Sequence, residues 1–243
     1  MQFKANIPNI LTLANLCCGC LAIVNVNRGE LTYAAAFIAV AAIFDFLDGL
    51  LARALEAGSD IGEQLDSLAD LISFGVVPPL AIHYLLITTG EDFIQQYPYV
   101  EYIPFSITVF SALRLAKFNV DTRQSSVFKG LPVPGNAIFW ISIAFIVHQH
   151  FKPKEIMDII VDDNFVNFLI TAPLIFSLLM ISEIKMFAMK FKHWKWEGNQ
   201  VRYIFLISAC ILALLFHIKA LPYMVIFYVF LSVINNFLEA PIE

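Results

Sequence analysis

Asp45 and Asp48 stand three residues apart and Asp66 and Asp70 four apart, so on helices each pair shares one face. Gly58 and Gly62 lie between the pairs and suit a tight reversal that turns them towards each other. Four converging carboxylates with one nearby cation, Arg53, repel strongly unless a proton or a metal neutralises them. A hard divalent ion that prefers oxygen, Mg²⁺ or Mn²⁺, removes that repulsion. Four such ligands can hold two ions roughly 3.5–4 Å apart, the arrangement that stabilises both the entering and the leaving oxygen of an in-line displacement at phosphorus. Arg53 then pairs with phosphate oxygens.

The elements that must position these groups are apolar. The chain has 243 residues, is 59% hydrophobic and has a mean hydropathy of +0.75, which together with its long apolar segments points to an integral membrane protein. Ionisable groups in that setting are costly and mark a functional site. The expected fold is all-α, a polytopic membrane helix bundle of about eight transmembrane helices in a single domain. Spans are expected at about 8–26, from 31 through the first aspartate pair to Arg53, and at 62–87, 103–118, 137–150, 165–182, 203–218 and 221–237. Residues 8–182 then form a six-helix catalytic core, 183–202 a basic amphipathic link and 203–243 two C-terminal helices. The first segment has one basic residue before it, Lys4, and no small-residue cleavage site, so it reads as a retained helix. Asn9 and Thr12 lie on one face of its first turn and could reach a site at that membrane surface, although Asn9 serves equally well as a helix cap.

In a membrane protein the distribution of basic residues says more than the formal charge of −5. The side carrying the aspartates holds Lys4, Arg53, Arg114, Lys117, Arg123, Lys129, Lys185, Lys190, Lys192, Lys195 and Arg202, 11 of the 15 Lys and Arg residues. The positive-inside rule therefore makes that face cytoplasmic. Ile184, Phe187, Phe191 and Trp194 fall on one helical stripe with lysines off it, which fits either a short helix on an anionic leaflet or an ordinary basic loop. Cys17, Cys18, Cys20 and Cys210 have no ligand partners at metal spacing and read as small apolar residues, and none of the five histidines can be placed with the aspartates. Nothing suggests nucleic-acid binding.

Written as a pattern, Asp45, Asp48, Gly49, Ala52, Arg53, Gly62, Asp66 and Asp70 fall at the spacings of the CDP-alcohol phosphatidyltransferase signature, which this chain resembles at every fixed position. The blocks PNILTLANLCCG, SFGVVPP, RLAKFNV and KGLPVPGNA extend the resemblance, most closely to the bacterial membrane-type phosphatidylserine synthases, over residues 8–137. The resemblance implies an inner-membrane enzyme, commonly a homodimer, that moves a phosphatidyl group from CDP-diacylglycerol to L-serine with two divalent ions. It makes Asp45, Asp48, Asp66 and Asp70 the metal ligands and Asp70 also the general base. It further implies that Gly49, Ala52 and Gly62 keep bulk away from the nucleotide, with Asn9, Thr12, Asp48 and Arg53 beside it.

Serine's hydroxyl is a weak nucleophile and needs a base within reach. No Ser, Cys or His is paired with a base in the motif, which favours direct attack over a covalent intermediate. Arg114, Lys117, Arg123 and Lys129 are candidates for the serine carboxylate, Arg114 and Lys129 first, unless they only obey the positive-inside rule or bind headgroups. Ser73 and Asn119 are weaker candidates for polar contacts. Glycerol 3-phosphate, inositol phosphate or choline would be alternative acceptors within the class. A cation transporter is the alternative outside it, and it requires acidic residues along a route to the far side, which the remaining spans lack.

Overall fold

The computed structural model describes residues 2–120, 128–150, 163–187, 189 and 195–238. Helix α1 (Gln2–Asn27) buries Pro8, Thr12, Asn15, Gly19, Ala22 and Val26. Those positions alternate steps of four and three, the 3.5-residue seam along which two helices pack closely. Helix α2 (Leu31–Ala54) repeats the pattern with Leu31, Ala34, Ile38, Ala41 and Asp48. Small residues on both seams let the helices approach. On α1 the seam is polar at Thr12 and Asn15 and apolar from Gly19 on, so the part that meets the C-terminus of α2 is the part that carries chemistry.

The reversal after α2 does not use glycine. Glu56 takes the left-handed conformation (φ 50°), and Ala57 N–H donates to Ala52 O at 2.9 Å. Gly58 is not among the positive-φ residues, and Gly62, expected in the reversal, lies inside α3 (Asp60–Asp70). Ser59 caps α3 by accepting from Gly62 N–H at 3.1 Å, and Asp60 and Glu63 in the first turn suit the positive end of the helix dipole.

A π-helical turn, Leu71–Val76, joins α3 to α4 (Val77–Thr89). The segment SFGVVPP disfavours a regular ladder here, because Pro78 and Pro79 lack the N–H groups that would continue it. The carbonyl of Gly75 accepts instead from Thr108 Oγ1 at 2.8 Å, from α6 (Ser106–Val120). A Cβ on Gly75 would lie 3.1 Å from Ser111 Cβ, so this glycine admits the close approach of α6.

The link between α4 and α6 contains a short helix, α5 (Glu91–Gln96), and a 3₁₀ turn, Val100–Phe105. The fifth span, α7 (Val133–His150), begins four residues before the expected Ala137 because Pro134 is tolerated in a first turn. The bundle continues with α8 (Asp163–Ile181), α9 (Gln200–Phe216) and α10 (Ala220–Leu238). Among the described residues, five helical stretches are long and apolar enough to cross a membrane: Asn6–Asn27, Leu31–Ala54, Asp60–Thr89, Asn164–Ile181 and Gln200–Phe237; Val133–Gln149 is a shorter apolar helix. The last stretch breaks at His217 (φ 51°) and His217–Lys219, giving α9 and α10 as two helices.

The core lies between α2, α4, α6, α7 and α8, where Phe74, Ile82, Leu86, Ile107, Phe139, Trp140 and Leu169 are almost fully covered. Helix α9 buries no residue, and Leu214 is 78% exposed, an apolar surface of the kind that faces lipid or another protein.

Two short strands, β1 (Phe128–Lys129) and β2 (Lys185–Met186), pair antiparallel with Lys129 opposite Lys185. Gly130 (φ 68°) follows β1 against the end of α8, where a Cβ would lie 3.0 Å from Leu179 O; its N–H donates to Ile184 O at 2.9 Å. This pairing corrects the helical stripe expected to begin at Ile184. Residues 185–186 are extended and Phe187 is buried against Phe205 and Tyr228, so the aromatic faces the bundle and not a leaflet. Phe191, Trp194, Lys190, Lys192 and Arg123 lie outside the described residues.

Candidate active site

The seams of α1 and α2 meet α3, which carries Asp66 and ends at Asp70, at one end of the bundle. Carboxylate oxygens of Asp45, Asp48 and Asp66 all lie within 4.8 Å of one another. Asp48 and Asp70 are buried, 5% and 7% exposed. Thr12 Oγ1 donates to Asp48 Oδ2 at 2.5 Å and also contacts Pro8 O at 3.2 Å. Asn15 Nδ2 donates to Asp70 Oδ1 at 3.3 Å, and the Asp45 and Asp70 side chains are within hydrogen-bonding reach.

The donor set fits a hard cation. Three carboxylates converge with no ion-pair partner among the described residues, and Asp66 Oδ1 is buried with no hydrogen-bond partner. An oxygen left orphaned in this way is costly, and a divalent ion would satisfy it.

A cavity of about 380 Å³ opens beside the carboxylates. Asn9, Thr12, Asp48 and Asp66 line it, and Gly49, Ala52, Ala57, Gly58 and Gly62 form much of its wall. A Cβ on Gly49 would come no nearer than 3.5 Å to a protein atom, Arg53 Nη1, so nothing inside the protein requires glycine there. Gly62 differs, because a Cβ would lie 3.0 Å from Asn9 Oδ1 and 3.1 Å from Ser59 Oγ, so both side chains would have to shift. Arg53 is exposed, with its guanidinium folded back over Gly49 at the rim.

The acceptor candidates separate. Arg114 is partly buried, its Nη2 reaches Lys129 O at 3.5 Å, and its Nε is buried without a partner. Lys129 is engaged by Glu183 in an ion pair. Lys117 is exposed. Asn119 bonds Ser67 and Gln64 of α3, with Nδ2 3.0 Å from Ser67 Oγ, and so ties the end of α6 to the aspartate helix. Ser73 is completely buried and donates to Asn15 O at 3.1 Å, which puts its hydroxyl in a helix contact and not in the cavity. Asn15 itself was not singled out by the motif. The signal that finds it is the seam, where it stands three residues after Thr12 as a polar side chain on the packing face.

The family model for CDP-alcohol phosphatidyltransferase matches residues 5–179, from α1 almost to the end of α8. The CDP-diacylglycerol–serine O-phosphatidyltransferase of Bacillus subtilis is 33% identical over 140 residues, covering 57% of this chain and 75% of that protein. The protein of the same name from Methanocaldococcus jannaschii is 31% identical over 205 residues, 84% of this chain and 82% of its own length. Its Mycobacterium bovis namesake is 33% identical over 144 residues, and there the match spans only 48% of the longer protein.

Proposed function

The chain belongs to the CDP-alcohol phosphatidyltransferase family, and from that premise we propose that it is a phosphatidylserine synthase, joining the phosphatidyl group of CDP-diacylglycerol to the hydroxyl of L-serine and releasing CMP. The observation that carries the chemistry is the convergence of Asp45, Asp48 and Asp66 beside a cavity walled by small residues at one end of an apolar bundle. The choice of serine rests on the names of the relatives.

Asp45, Asp48 and Asp66, with Asp70 beside them, would hold one or two Mg²⁺ or Mn²⁺ ions, which when bound withdraw charge from the phosphoryl oxygens and stabilise CMP as it leaves. The nucleotide lies in the cavity against Gly49, Ala52 and Gly62, near Asn9 and Thr12, with Arg53 at the rim for phosphate. Asp70 accepts the proton of the serine hydroxyl. The serine oxygen then forms its bond to the phosphorus that bears the diacylglycerol, as the bond from that phosphorus to the CMP oxygen breaks. Arg114 is the favoured partner for the serine carboxylate, since it is the sheltered cation with an unpartnered donor, whereas Lys129 already has Glu183. A phosphorylated acceptor would call for more cations.

The reading extends to place and assembly. With 11 of 15 basic residues on the aspartate side, that side faces the cytoplasm of an inner membrane, where anionic lipids meet the basic link. The working unit is a homodimer. The decisive experiment measures CMP release from CDP-diacylglycerol by the purified protein in detergent with Mn²⁺ or Mg²⁺, with and without L-serine. Glycerol 3-phosphate and inositol 1-phosphate serve as rival acceptors. Release that requires both serine and metal supports the proposal, and release with another acceptor overturns the choice of serine. No release with any acceptor, from folded protein, overturns the enzymatic reading.

A further inference from the structure

Asn15 lies outside the aspartate motif, yet it is completely buried and its Nδ2 donates to Asp70 Oδ1 at 3.3 Å. The same residue anchors the segment that follows Asp70. Its backbone carbonyl accepts from Ser73 Oγ in the π-helical turn at 3.1 Å. Gly19, one turn further along α1, makes that contact possible, because a Cβ there would run into Ser73, lying 3.0 Å from its Cα.

The amide is a poor choice for packing alone. Asn15 Oδ1 is buried without a hydrogen-bond partner, a destabilising condition that an apolar side chain of similar size would avoid. Rotating the amide does not relieve it, since Oδ1 would then face a carboxylate oxygen. The orientation is therefore set by Asp70. Thr12, one turn earlier on the same seam, makes the corresponding donation to Asp48.

We propose that Asn15 is the positioning residue of Asp70: its amide fixes the rotation of the carboxylate, and the Ser73 contact fixes Asn15 to the π-helical turn. The proposal rests on the reading of Asp70 as the base. Asn15 is completely buried and does not line the cavity, so its removal acts on turnover and spares binding.

The test is steady-state CMP release by the full-length protein carrying Asn15→Leu, which keeps the volume and removes the amide, and separately Ser73→Ala, beside the wild type. Asn15→Leu should lower kcat about 10- to 100-fold, the span of a lost charge-assisted hydrogen bond. KM for both CDP-diacylglycerol and serine should stay within about threefold. Ser73→Ala should lower kcat by a smaller factor with the same KM pattern. An unchanged kcat in folded Asn15→Leu overturns the proposal, as does a loss carried by KM. Should Asn15→Leu fail to fold, Ser73→Ala decides alone, and wild-type kcat there overturns the proposal. Wild-type protein inactive with every acceptor removes the function reading and this one with it, whereas active wild type with unaffected variants removes this one only.

Discussion

Replacing Gly49 with alanine should stabilise the protein and damage the enzyme. Gly49 lies within α2, and the added methyl group would meet only Arg53 Nη1 at 3.5 Å and Nη2 at 3.8 Å, ordinary contacts with a flexible side chain. Removing a helical glycine reduces the freedom of the unfolded chain and is worth about 0.4–1 kcal/mol. That corresponds to a rise of about 1–4 °C in Tm for a chain of this length. The methyl group would, however, enter a cavity of about 380 Å³ that we assign to the nucleotide. Crowding a fitted site costs about 1–3 kcal/mol, or about 5- to 150-fold in affinity. The assay pairs thermal unfolding in detergent with CMP release against CDP-diacylglycerol concentration at saturating serine and Mn²⁺. Opposite signs are expected, a higher Tm with a higher KM for CDP-diacylglycerol. An unchanged KM with a raised Tm would refute the placement of the nucleotide, and a lowered Tm would refute the steric argument.

Mn²⁺ should raise the Tm of the wild type, by the equivalent of about 2.7 kcal/mol at a hundredfold excess over Kd, and Asp66→Asn should abolish most of that shift in the same unfolding assay. Gly130→Ala combines a left-handed φ with a collision at the end of α8; it should cost about 2–4 kcal/mol of stability, measured as a lower Tm. Arg114→Lys should raise the serine KM at least about tenfold by losing the guanidinium fork. Lys129→Ala, which breaks an exposed ion pair with Glu183, should change the serine KM little in the same assay.

Much of the site could be read from the chain because its chemistry is periodic. Asp45 and Asp48 continue the spacing of Leu31, Ala34, Ile38 and Ala41, so one helical repeat both packs α2 and delivers its carboxylates. The residues that escaped are those whose role depends on a neighbour distant in sequence. Ser73 looks like a polar group available to substrate until Asn15 O is found above it, 58 residues earlier. Lys129 looks like a free cation until β1 pairs with β2 and brings Glu183 alongside. Propensity places glycine in the reversal after α2, but local bonding to Ala52 O carries it through Glu56. Nothing periodic announces a π-helical turn; Gly75 and the two prolines hint at irregularity, and only the approach of Thr108 and Ser111 determines its form.

The π-helical turn at Leu71–Val76 acts as a phase shifter. A helix advances about 100° per residue, so one residue accommodated in that wide turn offsets everything before it from everything after it by about that angle. Helix α4 keys into the core through Val77, Ala81 and Leu85, while Asp66 and Asp70 look across to α1 and α2. Deleting a single residue here would leave every side chain of the site encoded, yet the aspartate half of the helix would be turned against α4 like a key in the wrong lock. The length of this stretch is thus as much a part of the site's specification as the aspartates.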